Sequence, residues 1–367
     1  MIKFLDLYSQ YQSIKDEIDG AIEETIRNSS FVGGPSLTKF ESAFAQYQQA
    51  DHCIGVANGT DAIEIALESL NLPPRSEIIV PANTFIASSE AVTRAGHRVV
   101  FADISPATYT LDIEDVERRI SPCTAAIIAV HLYGQPCDMD GLMGLAAKHG
   151  LKVLEDCAQA HGAEYKGLRV GAIGDIGTFS FYPGKNLGAY GDGGAIVTNE
   201  TGLARRCRMI ANHGRIDKYN HEFEGRNSRL DGLQAAILNV KLKHLDGWIE
   251  KRNAVANQYI SGLSKIDDLT VPTICPYIRH AFHLFVIRTP ERTALAKHLN
   301  DAGIQTGIHY PIALPKLSAY AYLNQANEPM IANRYDSELL SLPMGEHLNI
   351  GDVDKVIHSV ITFFKKF

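Results

Sequence analysis

An α/β fold is what this sequence predicts: a mostly parallel central sheet with helices on both faces, joined to a smaller C-terminal α+β domain. Three observations carry that expectation. From Asp51 to Thr198, short apolar runs alternate with turns and helix-spaced segments, the pattern of parallel strands linked by crossover helices. Polar or glycine-bearing turns follow the strand ends, the rim where ligands of such sheets sit. Past Gly247 the composition shifts, with Pro272, Pro276, Pro311 and Pro315 breaking the pattern, so the chain divides into a large domain at 1–246 and a small one at 247–367.

Residues 8–27 place Ile14, Ile18, Ile22 and Ile26 four apart on one face, a docking helix, and 31–35 reads as a loop because of Gly33, Gly34 and Pro35. A strand at 53–56 leads through Asn58, Gly59 and Thr60 into a helix at 61–70. Such a turn aims backbone N–H groups and a helix dipole at an anion, so Gly59 and Thr60 suit a phosphate; the same residues also read as an ordinary capped helix. Strands follow at 77–81, 99–102, 125–131 and 152–156, with helices at 81–95, 111–120 and 138–149 between them. Two more strands, 178–182 and 194–198, precede a helix at 203–211. The polar segment 212–229 is too long for a simple connector. Helices at 230–244 and on to 261, a strand at 282–287 and a helix at 292–302 lead through the C-terminal part.

Bulk properties exclude several classes. With 45% apolar and 21% charged residues the chain is an ordinary globular protein. A net charge of −7, with scattered Lys and Arg, argues against a nucleic-acid partner. No apolar run approaches a membrane span and Asp6 interrupts any leader-like start, so the expectation is a soluble, cytoplasmic protein with no membrane partner. The six cysteines form no Cys-x-x-Cys pair and read as small buried hydrophobes. His280 and His283 fall on opposite faces of the expected strand, so no metal site is expected.

The chemistry centres on Gly177 to Gly194, where a β-type run delivers Lys185 onto a turn bounded by Pro183 and Gly184. Upstream, the strand 152–156 ends in Asp156. Taken singly, such a lysine is a solvated turn residue and such an aspartate a helix cap. Together they are the two groups pyridoxal phosphate requires: an amine to tether its aldehyde and a carboxylate to face its pyridine nitrogen. Phe85, after the strand 77–81, offers a ring to stack on the pyridine, or equally a core phenylalanine. A P-loop fails because Asn186, not Ser or Thr, follows the lysine, and no Gly-x-Gly-x-x-Gly follows the first strand.

Four blocks make the sequence resemble a known family: Gly59-Thr60-Asp61-Ala62, Glu155 through Ala163, Phe179 through Gly188, and Gly225 through Asp231. In order and along effectively the whole chain, they resemble the nucleotide-sugar aminotransferases of the DegT/DnrJ/StrS family. That resemblance implies the fold type I architecture of pyridoxal phosphate enzymes and a transamination from L-glutamate, with pyridoxamine phosphate as the intermediate cofactor form. It gives Gln159 to the ring hydroxyl, Ser180 to the cofactor phosphate, and Asn227 to the phosphate of a neighbouring subunit, hence a homodimer with shared sites. Tyr182, Arg215, Tyr219, Arg229, His309 and Tyr310 then line the sugar pocket, although each also reads as a structural residue. The implied acceptor is a dTDP-3-keto-6-deoxyhexose in surface-polysaccharide synthesis, with a 4-keto sugar second and a non-catalytic regulatory relative as the alternative of another class.

Overall fold

The computed structural model describes residues 1–365; Lys366 and Phe367, the last two of the expected small domain, lie outside the described residues. The chain opens with α1 (Leu7–Ser13), α2 (Lys15–Arg27) and α3 (Gly34–Tyr47), then enters β1 (His52–Val56) and α4 (Gly59–Ser69). Next come β2 (Glu77–Pro81), α5 (Ala87–Arg94), β3 (Arg98–Ala102), α6 (Ile113–Arg119), β4 (Thr124–Val130), α7 (Met139–His149) and β5 (Lys152–Asp156). The short β6 (Glu164–Tyr165) and β7 (Leu168–Arg169) precede β8 (Ile176–Ser180), β9 (Gly194–Thr198) and α8 (Thr201–Ile210).

These strands build one seven-stranded sheet in the order β1-β9-β8-β5-β4-β2-β3. Only β9 runs against its neighbours, pairing antiparallel with both β1 and β8. The other contacts, β8 with β5, β5 with β4, β4 with β2 and β2 with β3, are parallel. Both faces are covered, which is why the strands read as unbroken apolar runs. Ile78, Val80, Ile128, Leu154 and Ile196 pack into a core on one side, and Ile79, Ile127, Val153, Phe179 and Val197 into a core on the other.

Beyond the sheet, α9 (Gly232–Leu242) and α10 (Leu245–Leu263) lead to β10 (Ile278–Arg279), β11 (Phe285–Arg288), α11 (Arg292–Asp301), α12 (Ile331–Tyr335), β12 (Leu339–Leu342) and α13 (Ile350–Phe364). A third core gathers Val255, Tyr259, Phe285, Leu295, Leu340, Val356 and Val360, with β11 paired to β12.

Two local expectations are corrected. The helix expected at 8–27 is broken at Ile14, whose φ of −131° is not helical, and Ile26 is exposed, so only Ile14, Ile18 and partly buried Ile22 dock on Ile237, Val240 and Trp248. The loop expected at 31–35 ends early: Pro35 sits in the first turn of α3, where its missing N–H costs nothing. Among the described residues no helix is long and apolar enough to cross a membrane.

Candidate active site

The site forms along the rim where the parallel strands end. At its anionic end, Asn58 caps α4, its side chain accepting from the Asp61 N–H at 2.8 Å. Gly59 starts that helix beside Ser180, the last residue of β8: a Cβ on Gly59 would stand 2.6 Å from the Ser180 Cβ. Ser180 is opposite Gly194 on β9, and a Cβ there would stand 2.4 Å from the Asn58 carbonyl oxygen. Two glycines therefore let three strand ends close on one point. Gly59, Thr60 and the Ser180 hydroxyl border it at the positive end of α4, a cradle for a phosphate.

Asp156 ends β5 and is buried. Its Oδ2 accepts from the Ser88 hydroxyl at 2.7 Å and its Oδ1 from the Ala158 N–H at 3.1 Å, so two donors fix the carboxylate plane. Phe85 lies in the loop before α5 and is 54% exposed, a ring left open to a ligand. Tyr310 stands 5.7 Å from it, centroid to centroid. Gln159 accepts from the Tyr133 N–H at 2.6 Å and donates to the Tyr310 hydroxyl at 3.0 Å.

Lys185 rides on a tight turn after β8. Its N–H donates to the Tyr182 carbonyl at 2.9 Å, and the Ala189 N–H closes the turn on Phe181 at 2.7 Å. Gly188 is required because a Cβ there would stand 2.2 Å from the Pro183 carbonyl oxygen. From outside, the buried Lys241 ammonium donates to the Gly188 carbonyl at 2.7 Å. Burial pulls the Lys185 amine down from 10.5 to about 8, with the Asp156 carboxylate opposing. Burial, with the lysine charge adding, also pushes His161 down to about 3 and His309 to about 4, so the imidazoles around Lys185 are neutral.

One cleft of about 940 Å³ joins these parts: Gly59, Thr60, Phe85, Asp156, Gln159, Ser180, Tyr182, Lys185, Asn227 and Tyr310 all line it. A smaller chamber of about 280 Å³ shares Gln159, Tyr182, Lys185 and Tyr310 with it and is bounded further by His309. Anion cradle, carboxylate, open aromatic face and desolvated amine are the complement of pyridoxal phosphate, so the residues fit that group.

The sequence reading and the structure differ at several residues. Arg215, Tyr219 and Arg229 are absent from the lining of their own chain's cleft. The segment carrying Arg215 and Tyr219 folds back on itself through bridges from Asn212 to Asn227 and from Arg215 to His221, and the Gly214 and Arg226 N–H groups tie it to the Met209 and Ile210 carbonyls at the end of α8, leaving Tyr219 82% exposed. Asn227, expected to reach across to a partner, borders its own cleft. His280 and His283 precede β11 instead of lying within it; His280 stacks on Phe282 and His283 meets Asn186. Ser88 and Tyr133 escaped the sequence reading. Ser88 lies three residues past Phe85, a helical spacing that was the one available signal. His131, Glu155 and Cys157 cluster closely enough for a metal, yet Glu155 already accepts from the N–H groups of Gly171, Ile173 and Gly174 and from His131. That is a satisfied buried knot.

Comparison with known proteins identifies the family. The model of the DegT/DnrJ/EryC1/StrS aminotransferase family matches residues 12–361. The chain is 44% identical over 361 residues to dTDP-3-amino-3,4,6-trideoxy-alpha-D-glucose transaminase of Streptomyces venezuelae, covering 98% of this chain and 95% of the relative. It is 43% identical over 369 residues to a protein of Geobacillus stearothermophilus named pleiotropic regulatory protein, covering 100% and 99%. The crystal structure of S. venezuelae DesV superimposes with a TM-score of 0.97 at 43% identity, over 100% of this chain and 99% of that one. With its mostly parallel sheet the architecture is fold type I, and the chain belongs to the DegT/DnrJ/EryC1/StrS aminotransferase family of pyridoxal phosphate-dependent transaminases.

Proposed function

We propose that the protein transfers the amino group of L-glutamate to C-3 of a dTDP-3-keto-6-deoxyhexose, giving 2-oxoglutarate and a dTDP-3-amino sugar. The observation that carries this reading is the desolvated Lys185 amine at the junction of the large cleft and a sugar-sized chamber. Bound pyridoxal phosphate supplies an aldehyde that carries the amino group between substrates and a ring that stores the electron pair.

The chain's own residues do the rest. Lys185, neutral above about pH 8, takes the proton from the donor's Cα and later returns one to the sugar's C-3. Asp156, oriented by Ser88, faces the pyridine nitrogen and favours its protonated form. Ser180, Gly59 and Thr60 hold the phosphate, with Asn227 contributing either to its own cleft or to that of a second copy. Tyr182, His309 and Tyr310 bound the acceptor, and Arg215, Tyr219 and Arg229 serve a partner's cleft in a homodimer. The cytoplasm is the proposed compartment and surface-polysaccharide synthesis the proposed setting.

Incubating the loaded enzyme with glutamate and then with a panel of 3-keto and 4-keto nucleotide sugars tests this. Release of 2-oxoglutarate followed by amination of a 3-keto sugar is the expected result. Amination of 4-keto sugars alone moves the reaction to C-4. No 2-oxoglutarate at all leaves the regulatory reading, which the name of the Geobacillus relative favours.

A further inference from the structure

The smaller chamber is bounded by three separate parts of the chain. Residues 2–6 are pinned to the C-terminal half: the Ile2 N–H donates to the Gly303 carbonyl at 2.8 Å, the Phe4 N–H to Gln305 Oε1 at 3.0 Å, and Phe4 accepts from the Met344 N–H at 3.3 Å. Phe4 also stacks on His309, 5.8 Å between centroids with planes 19° apart. Phe4, Leu5, Leu284 and Met344 supply the chamber's apolar lining, and Gln159, Tyr182, Lys185, Arg252, His283, His309 and Tyr310 the polar side.

Size limits what enters. The chamber's 280 Å³ equals about nine water volumes at roughly 30 Å³ each, room for a sugar ring or an amino acid but not for a nucleoside diphosphate. The nucleotide must then lie in the wider cleft. With C-3 at Lys185 and C-1 directed outward to its diphosphate, ring geometry turns the C-4 to C-6 edge inward, toward the apolar lining. Nor does the chamber offer a spare cation there. The charge of Arg252, which lines the chamber, is matched by Glu346 at 3.1 Å, and its guanidinium donates to the Phe282 and His283 carbonyls at 3.1 and 3.4 Å, leaving a buried Nε without a partner. His309 Nδ1 meets Ser341 Oγ at 2.8 Å, and His283 Nδ1 meets Asn186 Oδ1 at 3.3 Å.

We propose that the apolar lining of Phe4, Leu5, Leu284 and Met344 is the specificity element of this site, selecting a methyl group at C-6 of the sugar over a hydroxymethyl or a carboxylate. The proposal rests on the acceptor reading above and deepens it. An apolar pocket disfavours an added hydroxyl by about 10–100-fold, and an unpaired carboxylate by more. Leu5 is the informative position, since it is only partly buried and lies against the Lys185 turn, its Cδ2 3.8 Å from where a Gly184 Cβ would stand.

The test uses three dTDP-3-amino sugars identical except for methyl, hydroxymethyl or carboxylate at C-6. Calorimetry on the Lys185→Ala protein loaded with pyridoxal phosphate gives affinities without turnover, and single-turnover rates on the intact enzyme give the kinetic counterpart. The methyl sugar should bind about 10–100-fold more tightly than the hydroxymethyl one. Leu5→Ser should shrink that ratio about tenfold, while the volume-conserving Leu5→Met should keep it. Equal affinity for all three overturns the proposal, as does a ratio unmoved by both Leu5→Ser and Met344→Gln. Preference for the carboxylate, lost in Arg252→Gln, overturns it in favour of Arg252 as the recogniser. If none of the three binds although glutamate still yields 2-oxoglutarate, the acceptor reading fails and this proposal with it.

Discussion

Lys185 shows how one environment sets one atom's chemistry. Burial takes its amine down to about 8, so the folded protein holds fewer protons there than the unfolded chain between about 8 and 10.5. The sign follows: this site costs stability below pH 8, and the cost is relieved as pH rises toward 10.5. In cofactor-free protein, modification of Lys185 by an amine-directed reagent, mapped by mass spectrometry, should rise with a midpoint near pH 8. A midpoint near 10.5, as for an exposed lysine, would contradict the desolvated amine. Lys185→Ala should abolish turnover, and ordinary activity in that variant would remove it from the reaction. Beside it, Ser88→Ala deletes a donor to a charged carboxylate, worth about 1.5–3 kcal/mol, so proton transfer should slow roughly tenfold or more. An unchanged isotope-sensitive half-reaction rate would make Ser88 merely structural. The serine was hard to read from sequence because a hydroxyl on a buried helix face looks the same whether or not a carboxylate waits opposite.

At the scale of elements, the site depends on glycines that let chain segments touch. In Gly59→Ala the new methyl would meet Ser180 in the phosphate cradle at a distance no Cβ tolerates, and Ser180 is held by β9, so one of the two must shift. Cofactor affinity should fall at least tenfold while the melting temperature of the cofactor-free protein drops by only a few degrees; an unaltered dissociation constant would show that the cradle lies elsewhere. The strand ends behind this cradle were legible, because buried parallel strands write themselves as short apolar runs. Helix limits were less so. The four-spaced isoleucines of 8–27 begin at Ile14, the residue where the backbone bends between α1 and α2, and periodicity alone does not register a bend. Phe85 likewise precedes its helix, so it points into the cleft with an exposed face.

The molecule as a whole leaves Tyr8, Phe31, Val32, Tyr219 and Arg229 exposed and Arg215 half-buried, and neither arginine lines its own chain's cleft although Asn227 of the same segment does. A two-fold dimer that delivers this segment to a neighbour's site would account for both features. Sedimentation should therefore give a dimer at micromolar concentration. Mixing Lys185→Ala protein with Arg229→Ala protein, after dissociation and reassociation, should restore activity beyond either parent, since each hybrid keeps one intact site. A fully active monomer, or no recovery on mixing, would refute the shared site.

By itself, the sequence determined the α/β class, all seven strands of the central sheet, the paired Lys185 and Asp156, and hence the cofactor, because period, turn residues and reactive side chains are local properties written into neighbouring positions. The order of those strands, the reversal of β9, the donors on Asp156 and the chamber shared by Phe4, Lys185 and Met344 belong to the tertiary structure alone. Each depends on which distant segments exclude water from one another, a free energy that exists only once the whole chain has closed.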